Sequence, residues 1–177
     1  MKQEEKGLAA FEKYAAMARG LGARDAIVLS SADVVVDGRT YLKCMYGCTG
    51  WNANWTCPSA PGALKPWEFE PLLRRYAGGV LIHCPEKKAS HDISHTVEAT
   101  AFRDGHYFAF AMSDCAICQR CSFPEKEPCR DPVRARPAMQ GMGIDVFATV
   151  RKFGLPIATL PDRDAQPQNW YSLVLIA

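Results

Sequence analysis

The sequence predicts an α/β fold, a single-domain sandwich in which a central sheet is flanked by helices. The chain has 177 residues, the length of one domain spanning 1–177, and can bury a complete core. Short apolar segments of strand length alternate with amphipathic helical patterns, which is the order of parts in α/β proteins. Hydrophobic residues make up 48% and charged residues 23% of the chain, which is typical of a globular domain.

The first predicted elements are a helix and a strand. Residues 4–21 place Leu8 and Phe11 at helical spacing, with charged residues on the other side, and Gly20 marks the end. Residues 25–38 are rich in β-branched side chains, so they predict one bent strand or two short ones.

The middle of the chain predicts two further helices and two strands. A helix lies between Pro66 and Tyr76, with Pro71 either in its first turn or at a kink. The apolar sequence VLIHC then predicts a short buried strand. Residues 89–104 predict a helix, and HYFAFAM predicts the strand that follows it.

The last part of the chain predicts one more helix and a closing strand. The helix opens at Pro137, continues through 138–153 and ends at Gly154, and residues 169–177 form the strand. Each half of the chain then has a strand, a cysteine-rich loop, a helix entered through proline, a glycine stop and another strand. This shared order suggests an internal pseudo-repeat, with coincidence as the alternative.

Charge and hydropathy limit the classes of partner. The chain has 21 basic and 19 acidic residues, a net charge of +2, which gives no electrostatic case for nucleic acid or a membrane surface. No apolar run reaches the length of a membrane span, and the start MKQEEKGLAA has no signal-peptide core. We therefore expect a cytoplasmic protein.

The eight cysteines are unusual for such a protein. In a reducing cytosol, clustered thiols bind metal or carry out redox chemistry more often than they form structural disulfides. Seven of the eight fall in two loops, residues 44–66 and residues 113–136, which we call the first and the second cysteine loop.

The second cysteine loop carries the stronger signal. Cys115, Cys118 and Cys121 follow one another at three-residue steps, a spacing that can wrap three corners of a cubane [4Fe–4S] cluster. Cys129 is the candidate fourth ligand. Structural zinc is the alternative, although zinc sites usually draw on two separated Cys-x2-Cys pairs.

Basic residues surround these thiols and could offset the negative charge of a cluster. Among them, Arg134 and Arg136 are candidates to hold an anionic substrate near the cluster. They are equally good candidates to bind loop carbonyl groups.

The first cysteine loop holds Cys44, Cys48 and Cys57, and its spacing is less diagnostic. Three thiols in one loop again predict a metal centre, with no obvious fourth ligand. Cys84 is a candidate for that position, although a buried structural thiol is the preferred interpretation. A cluster with three thiolates would leave one iron open to substrate.

Other residues are weaker candidates. His83 could be a fourth ligand of the first site, and Trp51 and Trp55 could shield that site or pack its loop. The sequence HDISH places His91 and His95 at the spacing of a zinc peptidase, but Asp92 is shorter than the expected glutamate. A solvated helix face is the better interpretation of this motif.

The combined motifs resemble those of a family described only as predicted metal-binding protein, of unknown function. The segments VVDGRTYLKCMYGC and WTCP carry the resemblance in the first half. AFRDGHYFAFAMSDCAICQRC, PCRDPVRARPAM and GIDVFATVRKFG carry it in the second. The resemblance runs from about residue 26 to the C-terminus, and iron–sulfur binding is the usual expectation for the family.

The resemblance implies the same seven ligands by position, three in the first loop and four in the second. The family typically has Cys-Pro-Pro where this chain has Cys57, Pro58 and Ser59, and Cys84 is outside its pattern. We expect two [4Fe–4S] clusters that exchange electrons with a redox partner protein or a small-molecule substrate. The alternatives are an enzyme that uses the open iron of a three-thiolate cluster, and a zinc-stabilised binding module.

Overall fold

The computed structural model of the protein describes residues 7–115, 117–162 and 165–177. The helices used below are α1 (Glu12–Gly20), α2 (Arg39–Gly47), α3 (Pro66–Leu73), α4 (Lys87–Arg103) and α5 (Val146–Arg151). The strands are β1 (Asp25–Ser30), β2 (Gly78–Cys84), β3 (Phe110–Met112) and β4 (Trp170–Leu175).

The four strands form one antiparallel sheet in the order β1–β2–β4–β3. The central strands β2 and β4 pair from Gly79 opposite Leu175 to Cys84 opposite Trp170. The mixed helix and strand content agrees with the predicted α/β class. Each half of the chain supplies one outer and one central strand, and the suggested duplication stays a prediction.

Strand alternation divides the core into two layers. In β2, Val80, Ile82 and Cys84 point to a cluster with the apolar side chains of α1 and α4. Leu81 points to the opposite face, where it joins a cluster that includes α3 and the segment around Met142. The sheet is therefore covered on both faces, and helices lie on each side as the sequence predicts.

Most predicted elements are confirmed, with shifted bounds. The predicted helix 4–21 begins outside the described residues, and its described part contains α1. Pro71 lies in the second turn of α3 rather than in the first. Only Phe110–Met112 of the predicted strand HYFAFAM pairs with β4, because residues 105–108 form a turn after α4.

The prediction of one bent strand or two short strands over residues 25–38 is confirmed only for its first part. Strand β1 ends at Ser30, whose hydroxyl accepts from the N–H of Ala32 and opens a short 3-10 helix. Beyond it, the extended chain makes a single bridge, between Val36 and Ile144. That bridge fixes the chain just before the first cysteine loop.

Two predictions about longer elements are wrong. The first cysteine loop begins inside α2, so Cys44 is helical and not in a loop. The predicted continuous helix 138–153 is broken at Gly143, which has a φ of +92°. Asp145 then starts α5 by accepting a hydrogen bond from the N–H of Ala148.

Within the part of the chain that the structure describes, no helix is both long enough and apolar enough to span a bilayer. This finding agrees with the absence of a long apolar run in the sequence.

The close approach of β2 to β4 depends on glycine. A Cβ atom at Gly79 would overlap the carbonyl oxygen of Val174 on the neighbouring strand. We expect Gly79→Ala to lower the free energy of unfolding by more than about 2 kcal/mol, measured by urea denaturation. The control is Gly20→Ala, where a Cβ meets open space at the end of α1; it should stabilise the helix slightly. Equal stabilities for the two variants would contradict the described packing.

Candidate metal centre

The four cysteines of the second loop share one cavity. Cys115, Cys118, Cys121 and Cys129 all line a space of about 340 Å³. Cys118 is exposed and the other three are half-buried, so the cavity opens to the surface. The sequence prediction that these four residues form one site is compatible with this placement.

The sulfur of Cys115 is surrounded by polar groups of the backbone. Burial raises the pKa of this thiol, and the nearby Cys121 and Cys129 add to the rise. The backbone N–H groups of Ile117 and Arg136 donate hydrogen bonds to it and oppose the rise. Such donors stabilise a thiolate and are the groups that tune sulfur ligands of iron.

The thiols share a cavity without converging on one point. Among residues 7–115, 117–162 and 165–177, no three cysteine, histidine or acidic side chains are grouped closely enough to hold one metal ion. Ligands of a single tetrahedral zinc would have sulfur atoms only about 3.8 Å apart, given a Zn–S distance of about 2.3 Å. The described arrangement is therefore more open than a preformed zinc site.

Charged residues at this cavity are mostly basic. Lys87, at the start of α4, and Arg130 line it together with Asp131. Arg120 and Arg130 both pair with Glu125, each at 3.3 Å. Basic side chains at and beside this cavity therefore outnumber the acidic ones.

The guanidinium groups of Arg134 and Arg136 bind acidic residues of α4. Arg134 donates to Asp92 at 2.8 Å, and Nε of Arg136 donates to both carboxylate oxygens of Glu98, at 2.8 and 3.1 Å. Arg136 also donates to two carbonyl oxygens of its own loop. These side chains tie the second cysteine loop to α4, and a substrate-binding role for them stays a prediction.

The thiols of the first loop are electrostatic neighbours. Burial raises the pKa of Cys44 to about 11, and the negative charges of Cys48 and Cys57 add to the rise. The N–H of Gly50 donates to the sulfur of Cys48 at 3.3 Å. A metal ion at this site would have to displace the proton of Cys44, so binding should weaken as the pH falls.

Ser59, which stands where the family pattern has proline, makes two hydrogen bonds within the first loop. Its hydroxyl donates to the sulfur of Cys57 at 2.9 Å and accepts from the N–H of Asn52 at 3.1 Å. Proline at this position could do neither. A serine two residues after a cysteine is a local turn signal that the sequence analysis did not use.

The candidate fourth ligands of the first site lie elsewhere. Cys84 is fully buried in the α1–α4 layer of the core, where burial raises its pKa to about 11. The ring nitrogens of His83 bind Asp25 and Asn169, each at 2.8 Å, and its ring stacks on Tyr171. This burial agrees with the interpretation of Cys84, preferred in the sequence analysis, as a structural thiol.

Asp114 is a residue of the second loop, close to the first loop, that the sequence analysis missed. It directly precedes Cys115, and Nε2 of Gln140 donates to it at 3.4 Å. Its negative charge contributes to the raised pKa of Cys44, which places it close to the first loop. No periodicity or motif singles out this aspartate, because its position depends on the tertiary fold.

Trp55 joins the two cysteine loops. Its indole N–H donates to the carbonyl oxygen of Glu127 at 3.0 Å, and its ring meets Phe123 edge to face at 5.0 Å. Both partners belong to the second loop. The two cysteine loops are therefore in contact, although 67 residues separate Cys48 from Cys115 along the chain.

The prediction of a solvated HDISH face is wrong for His91. This ring is buried, and its Nδ1 lies 3.0 Å from the hydroxyl of Ser113 at the start of the second loop. Its Nε2 has no hydrogen-bond partner within the described residues. Burial lowers its pKa, so the ring is neutral at physiological pH. Helix α4 buries two faces because the sheet covers one and the second loop covers the other.

The fold and the grouped thiols define a cysteine-rich α/β domain of metal-binding type. Residues 27–176 match the model of the family described as predicted metal-binding protein (DUF2284), so the chain belongs to that family. A search of curated proteins found no match, and neither did a search of solved structures. The family description includes neither a particular metal nor a reaction.

The buried ion pair between Arg136 and Glu98 should stabilise the fold measurably. Their side chains are only 17% and 9% exposed, so Glu98→Gln would leave a buried positive charge without its partner. We expect a loss of about 2–4 kcal/mol in the free energy of unfolding, measured in urea. The matched control is Glu12→Gln in the exposed pair with Arg19, which should cost less than about 1 kcal/mol.

A double variant separates the interaction energy of the Arg136–Glu98 pair from the effects of each substitution on its surroundings. Glu98→Leu combined with Arg136→Met removes both charges, and it should be more stable than the sum of the single changes implies. If Glu98→Gln cost no more than Glu12→Gln, the second cysteine loop would not depend on this contact.

Proposed function

We propose that the protein is an iron–sulfur protein with two [4Fe–4S] clusters that takes part in electron transfer or related redox chemistry. In this proposal Cys115, Cys118, Cys121 and Cys129 hold one cluster. Cys44, Cys48 and Cys57 hold the other. The observation that carries the proposal is the shared cavity of about 340 Å³ around the four thiols of the second loop.

The size of that cavity favours a cluster over a single ion. A space of about 340 Å³ is far larger than one tetrahedral ion requires, and the thiols around it do not converge on one point within the described residues. Each thiolate of a cubane binds a different iron, so its sulfur ligands lie farther apart than those of zinc. Zinc remains the alternative that metal analysis must exclude.

The surroundings of the thiols also suit a cluster. Backbone N–H groups donate to Cys115, and Lys87 and Arg130 line the cavity. When bound, a cluster would supply a one-electron carrier whose potential depends on such hydrogen bonds and on burial. The chain itself contributes the ligands, these donors and the compensating charge.

The contact between the loops supports exchange of electrons between two centres. Trp55 packs one loop against the other, so clusters in the two sites would be neighbours. Electrons would enter from a redox partner protein and leave to a second partner or a small-molecule substrate. We expect this chemistry in the cytoplasm, where thiols stay reduced.

A specific observation favours a catalytic role as the second candidate. Cys84 is buried in the core layer between the sheet and helices α1 and α4. The ring of His83 is bound to Asp25 and Asn169. Neither residue is therefore placed to complete the first site. A cluster held by three thiolates would leave one iron open to a small substrate. In that case Arg134 or Arg136 would have to exchange its carboxylate partner for an anionic substrate.

Metal analysis of anaerobically purified protein tests the proposal. We expect about eight iron atoms and eight acid-labile sulfides per chain, as two cubanes require. Cys118→Ser should remove about half of each, because it deletes one ligand of the second cluster. The matched control is Cys84→Ala, which changes a cysteine outside both loops and should leave iron and sulfide unchanged.

Two results would contradict the proposal. One is colourless anaerobic protein that contains zinc and no sulfide. The other is unaltered iron content in Cys118→Ser, which would remove that residue from the ligand set.

Controlled oxidation distinguishes the two sites. An iron without a protein thiolate is the one most easily lost, so mild oxidation should convert the first cluster to a [3Fe–4S] form. Electron paramagnetic resonance should then detect one such centre per chain in the wild type and almost none in Cys57→Ser, which should fail to assemble the first cluster. Full resistance of both clusters to conversion would indicate a fourth ligand at the first site and would exclude the catalytic candidate.

A further inference from the structure

A second cavity adjoins the one that the four thiols surround. Its volume is about 660 Å³, and we call it the apolar cavity. The first cysteine loop contributes Trp55 and Pro58 to its wall, and the second contributes Pro128 and Cys129. Helix α3 and strand β3 close further sides. The apolar cavity therefore exists only when both cysteine loops lie in place against the sheet.

The two cavities share part of their walls. Trp55, Thr56, Cys129 and Ala135 line both of them. A molecule in the apolar cavity would thus lie against a proposed cluster ligand, Cys129. Trp55 is held in this position by its hydrogen bond and ring contact with the second loop.

The lining selects for an uncharged, flat ligand. None of the described residues that line the apolar cavity carries a charged side chain. Its walls instead combine aromatic rings, such as Phe69 and Phe110, with four prolines, and such rigid surfaces favour stacking with planar rings. A phosphate or carboxylate here would lose its hydration without gaining a positively charged partner.

The size and the polar content also fit a small ring compound. Cavities of about 300–1,000 Å³ hold most small ligands, and they usually combine apolar walls with a few polar groups. Thr56 supplies a hydroxyl for which no partner lies within the described residues, and the hydroxyl of Tyr76 already donates to the carbonyl oxygen of Phe108. A carbonyl group on the ring could accept a hydrogen bond from Thr56.

We propose that the apolar cavity binds an uncharged planar ring compound of the quinone class, in contact with Trp55 and Cys129. This inference deepens the proposed function, because the ring would lie beside the second cluster. Binding of the ring itself depends on the lining and not on the metal.

Calorimetric titration with duroquinone tests the binding. This probe is uncharged, and its fully substituted ring has no free position for addition of a thiol. We expect anaerobic protein with oxidised clusters to bind one molecule per chain with a negative change in heat capacity. Ala63→Trp, which fills the cavity from its wall, should weaken binding by at least about tenfold. Leu72→Glu, which places a charge at the wall, should do the same if the first variant folds poorly.

A control variant checks that the loss is local. Phe102 is 58% exposed on α4 and does not line the apolar cavity, so Phe102→Ala should bind duroquinone as the wild type does. Absence of binding by the wild type, or equal binding by both cavity variants, would overturn the proposal.

The contact with the cluster needs its own measurement. Durohydroquinone, the reduced form of the probe, accepts no electrons and should alter the electron paramagnetic resonance spectrum of the reduced second cluster in the wild type but not in Ala63→Trp. An unaltered wild-type spectrum would exclude contact at Cys129. The two proposals can fail independently. If the protein holds zinc and still binds the ring, only the proposal of iron–sulfur clusters is refuted. If the protein holds iron–sulfur clusters and binds no ring, only the proposal for the apolar cavity is refuted.

Discussion

The buried ion pair between Arg136 and Glu98 positions the second cysteine loop. Helix α4 packs on the sheet through Ile93, Val97 and Ala101, and on another face it presents Glu98 and Asp92 to the loop. Because Arg136 is bound there, its backbone N–H can donate to the sulfur of Cys115. Other residues of the same loop line the thiol cavity and the apolar cavity and contact Trp55 of the first loop.

Burial makes two of the grouped thiols, Cys44 and Cys115, costly to ionise without a cation. The pKa of Cys44 is raised to about 11, and that of Cys115 is also raised, in both cases mainly by burial. Such thiols stay protonated at neutral pH unless a metal supplies positive charge. The backbone hydrogen bonds to Cys115 oppose the rise in its pKa only in part. A metal ion at either site would therefore have to displace these protons, which couples metal binding to pH.

Much of the fold follows from local patterns in the sequence, and the site follows only in part. Strands β2 and β4 were predictable because their apolar runs are short and flanked by glycine or polar residues. The break at Gly143 was not, because it depends on a left-handed backbone within an otherwise helical pattern. Cysteine spacing predicts the ligand candidates, whereas the burial of His91 and the position of Asp114 arise from long-range packing. Likewise, no sequence pattern predicts that Trp55 reaches Glu127, 72 residues away.

The central claim is that the cysteine loops hold iron cubanes, and iron-edge X-ray absorption of anaerobic protein tests it most directly. If two clusters are present, almost all the atoms bound to iron should be sulfur, and the spectrum should show strong scattering from neighbouring iron atoms. A metal that is surrounded by sulfur but shows no second metal nearby would contradict the account. It would favour a single ion in each loop and a structural role for both.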